Sequence, residues 1–495
     1  MKKVIKLLII VALGFGATSC SNFLDKKMEG VYNSDTFFKT QAHAEAALAG
    51  AYNSLLYNNS ANALWVFGDI ASDDAVKGGL PGDQADIEFI EKHQVLPNNG
   101  YVELYWKHCY EGIARANNVI ARTPAVKMDD TDKAQIIAQA KFLRAYQYFN
   151  LARVYGAVPL KLQPADNPEE VHTPLSAIDK VYAQIEQDLM EAKDELPESW
   201  PGAQLGKVTK GAASALLART FLYEKKWQQA YDEAAAVEGM GYQLEQVYGD
   251  NFKVSHDNNQ ESIFEVQQVA GMNPMMGNIL NQWFAPRDEN GYGFNTPTKN
   301  FVDEFEQTPD GVADPRLDYT LGRDGQKWFD GVDFDPSWSA TGFVGKKFLQ
   351  PLSEIPKGTK QDADLDVKLI RLDEVILIKA EAANELGKIA EAATELNKLR
   401  KRAREAYLFD ENLPNHGAVP SNLLPDVVAS SQEQMREAIR HERRVELGME
   451  SQRYFDLMRY GKDYAEKALG ENQFNFEKDR YMPIPQSERD FNNNI

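Results

Sequence analysis

Helical spacing of apolar residues constrains the fold more than any other feature of this sequence. From about residue 34 to residue 242, apolar side chains recur at helical intervals, as in AEAALAGAYNSLL and QIIAQAKFLRAYQYFNLARVYG. The same spacing returns from about residue 367 to residue 468. An apolar stripe with this period forms one face of an amphipathic helix. We therefore predict a mainly α-helical protein.

Two helical stretches resemble each other when the sequence is shifted by 162 positions. The shift places Ala218 on Ala380 and Ala230 on Ala392, so small residues recur twelve apart in both copies. Small side chains at this spacing let two helices joined by a short turn approach closely, as in tetratricopeptide-type hairpins. Other helical arrays share the pattern. It predicts a helical hairpin scaffold and indicates no function by itself.

The stretch from residue 250 to residue 366 interrupts the helical pattern. It is rich in Gly, Pro, Asn, Asp and aromatic residues, and its one short strand-like run is SIFEVQQV, which begins at Ser262. This composition is typical of long loops with turns. We predict a loop-rich insertion with a few short strands, placed between helical regions at 34–249 and 367–495.

The N-terminus has the features of a lipoprotein signal peptide. Three lysines among the first six residues precede an apolar stretch that is too short to span a bilayer. The small residues Ala17, Thr18 and Ser19 lead into Cys20, as expected where a peptidase cleaves before a lipid-bearing cysteine. The match is loose because Ala17 stands where leucine is usual. We predict removal of residues 1–19, lipidation of Cys20 and a tether over 20–33.

Charge and motif content weigh against several classes of function. The formal net charge of -20 disfavours nucleic acids and anionic lipid headgroups, which require a basic protein face. The sequence contains no HExxH, GxSxG, P-loop or glycine-rich dinucleotide motif, and its seven histidines are never spaced His-xxx-His. A glycosidase needs only two suitably placed carboxylates, which 74 acidic residues leave open. Cys109 lies in a helical stretch and is predicted to be a buried packing residue.

The segment ERRVELGMESQRYFDLMRYG, residues 442–461, carries eight charges in twenty residues. On a single helix Glu450, Arg453, Asp456 and Arg459 would follow one another at intervals of three and form ion pairs along one face. Such a ladder is either a helix surface or a clamp between helices. We interpret it as structural, with ligand contact as the alternative.

Several stretches resemble the SusD/RagB family of outer-membrane lipoproteins from Bacteroidetes. With Cys20 they follow the family's order along almost the whole mature chain: ALAGAYNSL from Ala47, AQAKFLRAYQYFNLARVYGAVPL from Ala138, NTPTKNFVDEFE from Asn295, IRLDEVILIKAEAANELG from Ile370, IRHERRVELGMESQRYFDLMRYG from Ile439 and YMPIPQSE from Tyr481. The resemblance implies four tetratricopeptide-like units and a loop-rich part that bears the ligand site. It also implies a cell-surface protein without enzymatic activity or cofactor. Such a protein captures glycans and passes them to a SusC-like TonB-dependent transporter.

Candidate ligand contacts come from two loop-prone stretches. A sugar ring has an apolar face and a rim of hydroxyls, so its site needs exposed flat aromatics beside polar side chains. NILNQWFAPRDENGYGFN and ALWVFGDIASDDAVKGGLPGD supply these candidates: Trp283, Arg287, Asn290, Tyr292, Trp65 and Asp73. Each aromatic could instead pin its loop to the scaffold. Trp283→Ala should weaken ligand binding by well over about tenfold and leave the melting temperature nearly unchanged, since removing a stacked ring costs on the order of 1–3 kcal/mol of binding.

Other tryptophans receive different assignments. Trp106 and Trp227 lie within helical periods and are predicted to be core residues, as is the loop residue Phe294, whereas Trp200 is left undecided. Trp328 and Trp338 flank FDGVDFDPS, whose aspartates could hold calcium but lack EF-hand spacing, so a solvated loop is favoured and no metal is predicted.

Two alternatives to glycan capture remain open. The first is uptake of peptides, because an acidic surface would attract cationic ones. The second is a helical scaffold that binds only proteins. Peptide capture by charge should weaken as salt rises, whereas stacking on sugars should not.

Overall fold

The computed structural model describes residues 37–165, 172–356, 362–470 and 473–495. The signal peptide, Cys20 and the tether over 20–33 lie outside the described residues. In chain order the helices are α1 (Gln41–Tyr52), α2 (Ala85–Glu91), α3 (Gly100–Arg122), α4 (Asp130–Tyr155), α5 (Ile178–Glu195), α6 (Lys210–Tyr223), α7 (Trp227–Glu238), α8 (Leu280–Phe284), α9 (Lys299–Val302), α10 (Arg316–Thr320), α11 (Leu372–Glu385), α12 (Ile389–Phe409), α13 (Gln432–Leu447), α14 (Arg453–Tyr460), α15 (Lys462–Leu469), α16 (Phe476–Asp479) and α17 (Gln486–Phe491). The prediction of a mainly α fold is confirmed.

The strands are short and pair in twos. They are β1 (Ala75–Gly78), β2 (Val158–Pro159), β3 (Leu175–Ser176), β4 (Ser262–Val266), β5 (Phe294–Pro297), β6 (Leu321–Gly322), β7 (Val344–Gly345) and β8 (Val367–Arg371). The antiparallel pairs are β1 with β5, β2 with β3, β4 with β8 and β6 with β7. The strand-like run from Ser262 is therefore a strand, and its partner β8 leads directly into α11.

The two matching stretches form helical hairpins. The pairs α6–α7 and α11–α12 are each joined by a three-residue turn, at 224–226 and 386–388. Ala218, Ala230, Ala380 and Ala392 are all 0% exposed, as close packing between helices requires. The tetratricopeptide-like scaffold is confirmed, and these small residues explain it because larger side chains would separate the paired helices.

The N-terminal helices pack into the same core. Cys109 and Trp106 in α3 are buried, which confirms their assignment, and Trp227 is partly buried against the core. A buried ion pair links α4 to α5, because Arg144 donates to both carboxylate oxygens of Asp188 at 2.8 and 2.7 Å. The helices thus provide a rigid body for the loops.

The charged segment at 442–461 does not form the single helix that a continuous ladder requires. α13 ends at Leu447 and α14 begins at Arg453, and between them Met449 and Ser451 have φ values of 64° and 62°. The predicted Glu450–Arg453 pair is therefore wrong, whereas Asp456 and Arg459 do pair at 2.7 Å. The helix breaks where Gly448 passes against the ring of Phe301, since a Cβ there would lie 2.2 Å from that ring.

The charges of this segment clamp distant parts of the chain together. Glu450 pairs with Lys347 and Arg371, each at 2.7 Å, and Arg443 pairs with Asp456 at 2.7 Å. The side chain of Glu450 is 11% exposed, whereas its partners and the Arg443–Asp456 pair are nearly fully buried. Buried charges require such partners, because an unpaired ion loses its hydration without compensation. The segment is an interior ionic network joining the insertion to the helices.

Candidate functional site

The two loop stretches with candidate ligand contacts meet in the structure. Strand β1 lies within the stretch 63–83 and pairs with β5, which begins at the end of the stretch 278–295, so that Gly78 faces Phe294 and Val76 faces Thr296. The backbone N–H of Gly79 donates to the carbonyl of Gly293 at 2.7 Å. Residues more than two hundred positions apart in the sequence therefore lie next to each other, both at the surface and in the core beneath it.

Five rings form an inner aromatic group at this junction: Trp65, Trp283, Phe284, Tyr292 and Phe294. The Trp65 and Trp283 ring centroids are 5.8 Å apart, and Trp283 lies 5.6 Å from Tyr292 in an edge-to-face arrangement. Trp65 is 4% exposed and Trp283 is 8% exposed, and both belong to the hydrophobic core. Phe294 is 3% exposed, as predicted for a core residue.

Burial of Trp283 corrects one expectation drawn from the sequence. The ring does not stand outward from its loop, because Trp65, Tyr292 and Phe294 surround it. Removing a buried aromatic side chain costs about 3–5 kcal/mol of folding free energy. Trp283→Ala should therefore lower the melting temperature, and it cannot serve as a clean test of ligand contact.

Tyr292 stands at the half-buried edge of the inner aromatic group. Arg287 and Asn290 are exposed in the same loop, and Arg287 forms an ion pair with Asp83 across the junction. Asn290 has a φ of 63° and its carbonyl accepts a hydrogen bond from Gln282, which closes the turn. This edge combines a tyrosine with exposed guanidinium, amide and carboxylate groups.

An outer aromatic group lies beside the inner one and consists of Trp328, Phe329, Phe334 and Trp338. The indole N–H of Trp328 donates to Glu289 at 2.9 Å, which connects this group to the loop of Tyr292. Phe329 and Trp338 are half-buried. These two residues are not among the ligand contacts predicted from the sequence, since their partial exposure depends on packing around Trp328. The ring centroids of Phe329 and Trp338 lie 4.8 and 5.9 Å from that of Trp328.

Lys346 adds a cation to the outer aromatic group. Its ammonium lies 5.6 Å from the Trp328 ring centroid and donates to the carbonyl of Asp318 at 2.9 Å. Burial lowers the pKa of Lys346 to about 8, and nearby Arg323 contributes in the same direction while Asp318 opposes it. The amine therefore remains largely protonated at neutral pH and available for a cation–π contact.

Asp73 fixes the loop in the stretch 63–83 through ion pairs with arginines. Its carboxylate accepts two hydrogen bonds from Arg453, at 2.7 and 2.9 Å, and lies 3.1 Å from Arg444. Burial alone would raise the pKa of Asp73, but the two arginines hold it below its usual value. Nearby Asp69 differs, because burial raises its pKa to about 7 despite hydrogen bonds from Asn295 and the Ser451 backbone.

Two acidic clusters that could suggest a metal are engaged with groups of the protein itself. In the loop of Trp328 and Trp338, Asp330 accepts from Ser353, Asp333 pairs with Lys327, and Asp335 accepts from the Ser337 backbone. Elsewhere Glu261, Asp373 and Glu446 bring carboxylate oxygens within 4.8 Å of one another. Arginine side chains pair with all three of these buried acids, which accounts for the cluster as an ionic network.

A separate cleft of about 810 Å³ lies on the helical side of the molecule. Tyr52, Gln139, Trp200, Lys207 and Phe264 contribute to its lining. Trp200, which the sequence left undecided, is half-buried there and its indole N–H donates to the Val208 carbonyl at 2.8 Å. This cleft shares no lining residue with the aromatic groups, so it offers a second place where a ring could bind.

Two sequence profiles match the chain, one in each half. The profile described as "SusD family" matches residues 260–495, and one described as "Starch-binding associating with outer membrane" matches residues 22–222. These matches lie on the helical scaffold and on the loops that carry the aromatic groups. The chain belongs to the SusD family.

Individual relatives share the whole length of the chain. SusD-like protein P2 of Formosa agariphila is 26% identical over 537 aligned positions that cover 100% of this chain and 99% of that protein. A solved laminarin-binding SusD-like protein is 28% identical, with a TM-score of 0.75 over 92% of this chain and 98% of its own. A SusD-like carbohydrate-binding protein from Bacteroides fragilis is 24% identical, with a TM-score of 0.79 over 93% and 99%.

Among the described residues, none of the helices is both long enough and apolar enough to cross a bilayer.

Proposed function

We propose that this protein is a cell-surface glycan-binding lipoprotein that delivers oligosaccharides or polysaccharides to a SusC-like TonB-dependent transporter in the outer membrane. The observation that carries the proposal is the full-length likeness to a laminarin-binding SusD-like protein, at 28% identity and a TM-score of 0.75. Within the proposal, Cys20 carries the lipid, and the glycan is bound without being cleaved.

The aromatic groups at the loop junction support a glycan site. Tyr292, Phe329 and Trp338 are half-buried, so each ring is held by the core on one side and keeps some exposed surface. Exposed Arg287 and Asn290 supply hydrogen-bond donors and acceptors for hydroxyls beside them. Sugar rings need this combination of a flat apolar contact and polar neighbours.

The other candidate residues have supporting roles in the proposed site. Trp65 and Trp283 form the packed base under Tyr292 and fix the position of its ring. Asp73 holds the first loop against α14 through Arg453. Because a preformed site loses little conformational entropy on binding, such support raises affinity without touching the ligand.

Binding and release complete the proposed mechanism. The glycan stacks on the half-buried rings, its hydroxyls bond to the polar edge, and it leaves by transfer into the transporter. Stacking and neutral hydrogen bonds depend weakly on ionic strength. The proposed function therefore requires no cofactor, no metal and no catalytic pair.

Substitution at Tyr292 tests the site. We expect Tyr292→Ala to weaken binding of a glycan ligand by roughly tenfold, since truncating an aromatic contact residue costs on the order of 1–3 kcal/mol of binding. The control is Phe409→Ala, which removes an aromatic that is 47% exposed on α12. Titration calorimetry against a panel of neutral, acidic and host-type glycans, with laminarin among them, measures both variants.

Trp200→Ala is a third variant for the same titration. A glycan whose affinity falls with Trp200→Ala and not with Tyr292→Ala would place the sugar in the 810 Å³ cleft instead. Melting curves of all three variants show whether a loss of binding reflects a loss of folding.

Peptide capture is the second candidate function, and the net charge favours it. A chain with a formal net charge of -20 attracts cationic peptides over a distance of about a Debye length. A peptide mixture in the binding panel tests this. Peptide binding that weakens steeply with salt, without any glycan binding, would replace the glycan proposal.

A further inference from the structure

A cleft of about 460 Å³ opens where the helical scaffold meets the C-terminal segments. Its lining combines aromatic rings with cationic side chains from α4, α14 and the segments that follow α6 and α16. It shares no lining residue with the inner or outer aromatic group or with the 810 Å³ cleft. The volume falls within the range of roughly 300–1,000 Å³ that is usual for small-molecule sites.

Arg153 lies in this cleft with an unusual set of neighbours. Its side chain is 4% exposed and donates to the amide oxygen of Asn150 at 2.7 and 3.1 Å and to that of Gln452 at 3.1 Å. The guanidinium carbon also stands 4.3 Å from the ring centroid of Phe455. Amide oxygens and ring faces carry only partial negative charge, so these contacts do not neutralise the cation.

Other buried arginines of this protein are bonded to carboxylates. Arg219 donates to Glu374 at 2.9 Å, Arg443 to Asp456 at 2.7 Å and Arg316 to Asp314 at 2.7 Å. Within the described residues, Arg153 has no carboxylate partner at all. Burying an unpaired charge is costly. The position of Arg153 in an open cleft is physically reasonable if an anion from solution binds there and pairs with it.

Two more unpaired cations line the same cleft. Arg480 is half-buried, with its guanidinium carbon 5.0 Å from the Tyr481 ring centroid, and Lys225 is exposed. In the described part of the chain, no carboxylate forms an ion pair with Arg480 or Lys225. The buried hydroxyl of Tyr223, also in the lining, lies near the Arg153 guanidinium and has no hydrogen-bond acceptor at ordinary geometry. It could donate a hydrogen bond to an anionic oxygen.

The acids that line the cleft do not balance these cations. Asp179 is exposed at the rim, and Glu224 already contacts Lys226 at 3.1 Å. Burial and the neighbouring Glu186 raise the pKa of Glu224 to about 7, so this carboxyl is partly neutral near physiological pH. The cleft is thus locally positive on a protein whose formal net charge is -20.

We propose that this cleft binds the carboxylate of an acidic sugar of the hexuronate class. The carboxylate lies against Arg153 and Arg480, and the sugar ring packs beside the aromatic residues Tyr182, Phe476 and Tyr481. The rings favour a carboxylate attached to a sugar over a free inorganic anion, because the apolar C–H face of the sugar can pack against them, whereas a free anion leaves their apolar surface unused. This site is separate from the glycan surface proposed above and does not rest on it.

Binding of D-glucuronate to the mature chain tests the proposal, with D-glucose and inorganic sulfate as comparison ligands. We expect the Kd for glucuronate to be about tenfold or more below that for glucose, and to rise with salt. Arg480→Gln should raise the Kd for glucuronate about tenfold, and Lys225→Gln should raise it less. Arg115→Gln, which removes an exposed arginine on α3 outside both proposed sites, should leave it unchanged.

Each possible result decides the question. Glucuronate binding no tighter than glucose would overturn the proposal, as would an unchanged Kd in both Arg480→Gln and Lys225→Gln. Sulfate binding as tightly as glucuronate would show a plain anion site and refute the sugar assignment. Arg480→Lys keeps the positive charge and should bind glucuronate more tightly than Arg480→Gln. Melting curves show whether both variants are folded.

Discussion

At the scale of single residues, His441 shows how an ionisable side chain holds the insertion to the scaffold. Its Nδ1 lies 2.6 Å from Glu304 and its Nε2 lies 3.1 Å from Glu306, so both ring nitrogens face carboxylates. Burial alone would lower the pKa of His441, but the two glutamates raise it to about 9. The imidazole is therefore protonated at neutral pH and bridges two acids of the insertion.

This raised pKa predicts a pH-dependent contribution to stability. A histidine with a folded pKa of about 9 and an ordinary value of 6.5 stabilises the fold fully below pH 6.5, and this stabilisation is lost as pH rises through 9. His441→Gln should therefore cost on the order of 1–3 kcal/mol at about pH 6 and much less at about pH 9.5. Urea unfolding at both pH values measures the difference.

His416→Gln is the control for this prediction, because His416 is exposed. It should change the free energy of unfolding little at either pH. An equal cost of His441→Gln at acidic and alkaline pH would show that the charge of the imidazole does not contribute.

Residue types and loop positions predict which segments carry the aromatic residues. They do not predict how exposed each ring is. Trp65 and Trp283 were recognised as loop tryptophans, and they do contact each other across 218 positions. Their burial follows from the β1–β5 pairing, which has no local signal in the sequence because it joins distant segments. The exposure of Phe329 is also not predicted by residue type, since it depends on how the neighbouring Trp328 packs.

At the scale of elements, the break between α13 and α14 organises the interior. The sequence predicted helix on both sides of this break, and the small-residue spacing correctly predicted the α6–α7 and α11–α12 hairpins. It did not predict the break, because the positive φ values of Met449 and Ser451 are imposed by tertiary contacts. Asp69 accepts a hydrogen bond from the Ser451 backbone at 2.8 Å and so fixes this turn from another part of the chain.

Gly68 provides a test of this close approach. A Cβ at Gly68 would lie 2.2 Å from the carbonyl oxygen of Ser451, which is backbone and cannot rotate away. Gly68→Ala should therefore lower the free energy of unfolding by about 1–3 kcal/mol or more through overpacking. Chemical denaturation measures the change.

Gly50→Ala is the matched control for Gly68→Ala. Gly50 lies within α1, and no atom stands within 4 Å of a Cβ placed there. Replacing a helical glycine with alanine should stabilise the protein by roughly 0.5–1 kcal/mol. Equal effects of the two substitutions would contradict the close approach of the turn to Gly68.

The buried ionic network predicts a second contrast between variants. Arg316 is 0% exposed and donates to Asp314, Glu442 and Glu446. Arg316→Met removes the cation, so that Asp314 loses its ion-pair partner and Glu442 and Glu446 each lose one of two arginines. We therefore expect a loss of about 3–5 kcal/mol. The free energy of unfolding from urea denaturation measures this loss.

Arg323→Met supplies the comparison, because the Arg323–Asp318 pair is partly exposed at 25% and 31%. Its loss should be below about 1 kcal/mol, since water screens and replaces such pairs. Similar losses in Arg316→Met and Arg323→Met would contradict the structural role assigned to the charged segment.

At the scale of the whole molecule, rigid helices hold two distant loop stretches together and present half-buried rings at their junction. The mainly α scaffold follows from the sequence because helical periodicity is a local signal. Membership of the SusD family follows from the motif stretches that resemble the family and occur in its order. The exposure of each ring and the unpaired cations of the 460 Å³ cleft do not follow, since both depend on contacts between segments far apart in sequence.

Attachment to the membrane through Cys20 is a prediction about the whole protein. Acyl chains on one cysteine would anchor the protein without a spanning helix. Cys20→Ala should therefore move it from the membrane fraction to the soluble fraction, measured by fractionation and immunoblotting. An unchanged distribution between these fractions would refute anchoring through this residue.

Titration of the mature chain with the glycan panel, in parallel with Tyr292→Ala and Phe409→Ala, tests the central claim most directly. The account predicts that at least one glycan binds with little dependence on salt. It also predicts that affinity falls roughly tenfold in Tyr292→Ala and stays unchanged in Phe409→Ala. Absence of binding to every glycan, or a salt-sensitive signal from peptides alone, would contradict it.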